Sequence, residues 1–201
     1  MRSKRLLYLL LALMPVFAFA QSKQLIRLLP DHLNAQFAGG IGFVSVGAGY
    51  ETRNHRWHGD FYYGYVPESV GGIEIHSVTA KLTWAAASSQ LRKDVRVDWV
   101  TAGVLANYVF GKQYFLFDPD RYPYSYYGFP TAAHIGMSVG SAVYHGRFGL
   151  YYELGTTDRF VVSYIRNTHS LSFFDIMHLG IGMKYSILGH DWQRASNKKA
   201  T

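Results

Sequence analysis

The chain has 201 residues, with 20 Lys and Arg, 13 Asp and Glu, 9 His and no Cys, for a formal net charge of +7. Without Cys there is no disulfide scaffold, no thiolate zinc site, no cysteine nucleophile and no lipid-anchored lipoprotein start. Charged residues are only 16% and aromatics reach 16%, with 16 Tyr and 20 Gly, which excludes a disordered chain and fits aromatic-rich strands.

The first twenty residues read as a secretory signal. Arg2, Lys4 and Arg5 form the positive start, Leu6 to Phe17 the apolar run interrupted by Pro15, and Ala18-Phe19-Ala20 a small-x-small cleavage site before Gln21. The run is shorter than the ~20 residues that span a bilayer. Removing the signal takes three positive charges with it and leaves 181 residues carrying about +4. That modest, unclustered excess argues against nucleic acid as a partner.

Residues 21–36 are predicted to be a periplasmic leader. Leu25, Ile26, Leu28, Leu29 and Leu33 alternate with Arg27, Asp31 and Asn34, with Pro30 between. This spacing suits either a short amphipathic helix on a membrane surface or an irregular lead-in.

Beyond it, alternating segments separated by turn residues predict eight strands, over 37–50, 56–66, 73–86, 96–110, 131–144, 147–155, 158–167 and 173–187. The barrel is thus expected over 37–187, and 188–201, with Arg194, Lys198 and Lys199, forms a polar tail. In the third strand Val78, Ala80, Leu82 and Trp84 alternate with Ser77, Thr79, Lys81 and Thr83. In the fifth Ile135, Met137, Val139 and Val143 alternate with His134, Gly136, Ser138 and Gly140. The sixth sets Phe148, Leu150, Tyr152 and Leu154 against Gly149, Tyr151, Glu153 and Gly155. The last sets Met177, Leu179, Ile181, Met183, Tyr185 and Ile187 against Ile176, His178, Gly180, Gly182, Lys184 and Ser186. One face is bulky and apolar; the other is small or polar and too thinly charged for a solvated exterior. It suits the narrow lumen of an all-β, antiparallel, closed transmembrane barrel of eight strands. Tyr50, Trp57, Tyr65, Trp84, Trp99, Tyr108, Phe110, Tyr144, Phe173, Phe174 and Tyr185 fall near strand ends, as interfacial girdles do.

An even strand number puts both termini on one side, the periplasm in such barrels. The predicted boundaries then send 51–56, 87–95, 145–146 and 168–172 outward, and 67–72, 111–130 and 156–157 inward. The 111–130 segment is an awkward inward turn, being long and rich in rings such as Tyr114, Phe115, Phe117, Tyr122 and Tyr124.

Three sets of residues carry candidate chemistry. Asp60, Lys81, Glu153 and Lys184 fall on the lumen face and should pair there, because an unpaired buried charge is costly. This predicts a plugged lumen, with a gated pore as the lesser reading. His55, His58, Ser88, Ser89 and Asp94, and separately His134, Ser138 and Glu153, supply the residue types of acyl transfer: a hydroxyl, an acid/base His and an orienting carboxylate. Arg53, His55, Arg56, Arg92, Lys93 and Arg96 bias the predicted outer loops positive, which suits the phosphates of lipopolysaccharide. No metal spacing stands out, and no cofactor is called for.

The last strand resembles the assembly signal of bacterial outer-membrane barrels, with His178, Gly180, Met183 and Tyr185 filling the pattern, although about fifteen residues follow it here. With the alternation above, the chain resembles that family of small outer-membrane barrels. The resemblance implies an outer-membrane location, contact with outer-membrane lipid and lipopolysaccharide, and insertion by the barrel assembly machinery. The first His/Ser/Asp set resembles the layout of the palmitoyl-transferring barrel. The second is similar to the lipid A deacylase barrel, with Gly136 where that family has Ser. The expected role is a structural or surface-interaction protein of the outer membrane, its specific activity open. A lipid A acyl-modifying enzyme is the alternative, and a soluble lipid-carrying barrel a third.

Overall fold

The computed structural model describes residues 29–116, 131–166 and 172–187. The signal, the leader as far as Leu28, residues 117–130 and the tail beyond Ile187 fall outside them. The barrel lies within the compact unit Asp31–Thr201.

Eight strands run in chain order: β1 (His32–Ala38), β2 (Val44–Glu51), β3 (Trp57–Val66), β4 (Ile75–Arg92), β5 (Val95–Phe110), β6 (Ala133–His145), β7 (Phe148–Thr157) and β8 (His178–Ser186). Each pairs antiparallel with the next, and β8 closes on β1, setting Asn34 opposite Lys184. Closure leaves every strand paired on both sides over most of its length, which a membrane interior demands of a backbone it cannot hydrate. A short helix α1 (Glu68–Gly71) joins β3 to β4. A longer helix α2 (Asp158–Arg166) and a 3-10 turn (Phe173–Ile176) join β7 to β8.

The strand count matches the expectation because two misplaced strands offset each other; in addition, β4 runs on to Arg92 through most of the predicted 87–95 loop, and Phe173–Ile176 is a 3-10 turn, not the start of the last strand. The predicted strand 37–50 is the end of β1, a turn and β2. Gly39, Gly40 and Gly42 adopt positive φ and reverse the chain. The barrel therefore begins at His32, and 32–36 is strand, not leader. The predicted strand 158–167 is α2. Its Phe160, Val161, Tyr164 and Ile165 are good strand formers that also recur at helical spacing.

This corrects the sides. Connections 39–43, 67–74, 111–132 and 158–177 share one end of the barrel. The chain entry at Asp31, the exit at Ile187 and the turns 52–56, 93–94 and 146–147 share the other. So 51–56, 87–95 and 145–146 lie at the terminus end, while 67–72 and the described start of the 111–130 segment, 111–116, belong to the loop end, as does Ser172 of the predicted 168–172 loop, whose other residues lie outside the described ones.

The outer wall is apolar and exposed throughout: Phe61 is 72% exposed, Ile135 68% and Met137 64%. Tyr50, Trp57, Trp84, Trp99, Tyr108, Phe110 and Tyr185 also point outward. Tyr144 does not; it is buried in the lumen, on the inward parity of β6. Trp99 and Val100 both face out because a bulge between Asp98 and Thr101 shifts the register of β5. Through that bulge Arg96 and Asp98 remain inward.

Candidate functional site

Every second residue of the barrel faces a lumen too narrow for anything but side chains. From the terminus end, β1 contributes His32, Asn34 and Gln36; β3 contributes His58, Asp60 and Tyr62; β4, β7 and β8 contribute Lys81, Glu153 and Lys184. All are buried. Two polar tiers result.

The tier nearer the terminus end centres on Asp60. Its Oδ1 lies 2.6 Å from His32 Nε2 and accepts from Asn34 Nδ2 at 2.7 Å, and its Oδ2 accepts from Lys184 Nζ at 3.2 Å. The other centres on Glu153, which accepts from Lys81 Nζ and, at 3.0 Å, from Gln36 Nε2. Tyr151 joins the tiers. Its hydroxyl donates to Gln36 Oε1 at 2.9 Å and lies 3.2 Å from the Tyr62 hydroxyl, while Lys81 and Lys184 stand 5.8 and 5.9 Å from its ring centre. Asp60 and Lys81 face each other in register on β3 and β4, yet each pairs across the lumen with another strand. Each charge thus has an opposite partner, the condition for keeping it ionised away from water.

Both ends are closed. At the terminus end Arg96 makes two bonds to Asp98, at 3.0 and 2.6 Å, donates to the His55 carbonyl at 3.2 Å and lies over the Tyr144 ring at 4.7 Å. Glu51 sits 3.0 Å from His55 Nδ1 and 3.6 Å from His58 Nδ1. At the loop end, residues 39–43 fold into the mouth. Ile41 is 1% exposed against Tyr62 and Leu105, and its carbonyl accepts from Ser77 Oγ at 2.9 Å. A lumen cavity of about 30 Å³ lies between the charged tiers and Tyr144, whereas hollows of about 1110 and 490 Å³ lie against the outer wall. That lumen cavity has room for about one water molecule.

The acyl-transfer candidates are placed as follows. His58 is buried in the lumen opposite Thr83, and neither ring nitrogen has a hydrogen-bond partner. Ser89 lies six residues further along β4, about 20 Å of strand. It is exposed, as is Ser88, and Asp94 at the hairpin tip bonds His145 at 2.8 Å. His134 sits at the loop end, its Nδ1 3.1 Å from Asp158 Oδ1 and its Nε2 3.2 Å from the Thr131 carbonyl, so both nitrogens face acceptors and neither faces a hydroxyl. Ser138 is buried opposite Gly155, and Glu153 is taken by Lys81 and Gln36. Neither His58 nor His134 is hydrogen-bonded to a candidate hydroxyl.

No protein-family model and no curated protein matches the sequence. A solved structure that is similar is the N-terminal β-barrel domain of Pseudomonas aeruginosa OprF, at 11% identity, 79% coverage of this chain, 98% of that one and a TM-score of 0.42.

Of the assembly-signal residues, Met183 and Tyr185 face outward on β8 and Gly180 inward. His178 is half-buried at the strand's start, and a Cβ on Gly40 would lie 2.6 Å from its ring. Two basic residues are not surface charges: Arg96 and His55 are buried, the first because the β5 bulge turns it inward and the second in a turn where its backbone φ is 54°. Sequence reasoning missed His32, Asn34 and Gln36, assigned to the leader, although their alternation with Leu33, Ala35 and Phe37 is a strand signal. It also missed Ile41 and Tyr151 as the pieces that fill the bore.

Proposed function

We propose that the protein is an integral outer-membrane barrel with a sealed lumen, acting as a structural scaffold whose long loops meet partners at the cell surface. The single observation behind this reading is the inverted wall: exposed aliphatic and aromatic residues outside, paired charges inside. A belt of that size is unsustainable in water. A soluble lipid carrier would reverse the two faces and leave its interior hollow.

The orientation follows from loop length. In such barrels the periplasmic turns are short and the external loops long. The turns 52–56, 93–94 and 146–147 therefore face the periplasm with both termini, and 67–74, 111–132 and 158–177 face outward. The sequence has no Cys, so single cysteines report sidedness directly. Val70→Cys is expected to react with a membrane-impermeant maleimide on intact cells, and Arg147→Cys only after the outer membrane is permeabilised. The reverse pattern overturns the orientation, and reaction of both in intact cells overturns the membrane location.

In planar bilayers the purified barrel is expected to show no steady conductance, since both ends and the middle are blocked; stable channels would refute the sealed lumen. Lipid A mass spectra from cells lacking and overproducing the protein are expected to be identical. A gain or loss of one acyl-chain mass would replace the scaffold reading with an acyl-modifying one.

A further inference from the structure

Strand β4 outruns its neighbour. Its pairing with β3 ends at Trp57 opposite Trp84, and the Ala85 amide donates to the Arg56 carbonyl at 2.8 Å. Its pairing with β5 continues to Arg92 opposite Val95. Among the described residues, Ala86 to Leu91 is therefore bonded on one side only, and the side away from β5 is an open strand edge beyond the tryptophans of the terminus end. Arg92 is partly occupied, its carbonyl accepting from Gln90 Nε2 at 2.7 Å.

Exposed strand edges are usually protected by Pro, by inward charges or by cover. The stretch Ala86-Ala87-Ser88-Ser89-Gln90-Leu91 has no Pro and no charge, and from Ala87 onward it is exposed. Cations flank it. Arg53 and Arg56 stand on the turn beside its base, Arg92 and Lys93 at its tip, all four exposed. Among the described residues none of the four has an ion-pair partner, and the acid at the tip, Asp94, already bonds His145.

We propose that this edge is a docking site for an extended acidic peptide segment, which adds as a strand beside β4 and sets Asp or Glu side chains against Arg53, Arg56, Arg92 and Lys93. Main-chain bonds to the edge supply affinity, and the flanking charges supply selectivity. A second copy of this chain does not fit. Copies in one membrane share an axis direction, so two facing β4 edges, each tilted by 35–45°, cross at roughly 80° and cannot form a ladder. The proposal holds for either orientation of the barrel, because the edge lies beyond the apolar belt in both.

The test uses the full barrel in nanodiscs of uncharged lipid and a labelled peptide of alternating Glu and Val, with its Lys counterpart as control. Binding of the Glu peptide alone is expected, with amide shifts confined to residues 86–92. Arg92→Glu combined with Lys93→Glu is expected to weaken it about tenfold, both side chains being exposed rim charges. Ser88→Pro and Ser89→Pro are tested in parallel. Consecutive amides point to opposite sides of a strand, so one of the two removes an open-edge donor, at a position where Pro is tolerated, and is expected to abolish binding in a folded barrel. Equal binding of both peptides, binding indifferent to both Pro variants, or no binding overturns the proposal. So does the same amide shift on adding phosphatidylglycerol without peptide, which would assign the cations to lipid headgroups.

Discussion

Lys81→Met is expected to destabilise the barrel by about 3–5 kcal/mol, the cost of stranding a buried charge. Glu153 would keep Gln36 Nε2 as a donor but lose its ammonium partner. Glu153→Gln strands Lys81 in the same way and is expected to cost about as much. The double variant Lys81→Met, Glu153→Gln carries no unpaired charge in the middle of the lumen. It is expected to recover most of the loss, because a buried ion pair replaced by uncharged groups of similar volume is often neutral. Urea unfolding in detergent micelles, followed by tryptophan fluorescence, reads all three. Strictly additive losses would show that the two side chains do not act as a pair. The same logic applies to Asp60, where three donors converge: Asp60→Asn is expected to lower the midpoint, leaving Lys184 without its carboxylate.

The lumen was legible in the sequence because strand parity is a local property. A period of two places Lys81, Glu153, Asp60 and Lys184 on one face without any knowledge of neighbours. Which of them pair was not legible. Partners depend on the stagger that brings β4 across from β7 and β3 across from β8, and that stagger is a property of the closed barrel. The turn between β1 and β2 was hidden for another reason. Apolar Phe37, Ile41 and Phe43 continue the strand-like hydrophobicity across it, and the adjacent Gly39 and Gly40, which take positive φ, are its one local turn signal. Helix α2 was hidden by composition, since Phe160, Val161, Val162 and Ile165 favour strands and so short an apolar run does not separate helix from strand. The two errors restored the strand count but inverted the loop sides in between, which is why the aromatic 111–130 segment looked misplaced at the terminus end. The burial of Arg96 and His55 is not legible locally, because it depends on the β5 bulge and on the turn 52–56 closing over the lumen.

Gly64→Ala is expected to expel the plug at the loop end. An alanine Cβ there would overlap the Ile41 carbonyl oxygen and come within 2.6 Å of Ser77 Oγ. The Ser77 hydroxyl donates to that same carbonyl, so the methyl occupies the place where the tucked loop is held. Releasing Ile41 forfeits roughly 1.5–3 kcal/mol of apolar burial, and the lost bond about 1 kcal/mol more. Against this, replacing Gly by Ala within a strand normally stabilises by roughly 0.5–1 kcal/mol. The loss wins, and the net change is expected to be a destabilisation of about 2–3 kcal/mol. Gly59 on the same strand supplies the control, because a Cβ there meets nothing within 4 Å. Gly59→Ala is expected to be neutral or slightly stabilising. Ile41→Ala should cost a similar amount to Gly64→Ala, and the two together little more than either, since both remove the same packed loop. Conductance is expected to stay at zero in all of them, because the Asp60 and Glu153 tiers still fill the bore below. A Gly64→Ala barrel as stable as the parent would show that residues 39–43 do not occupy the mouth.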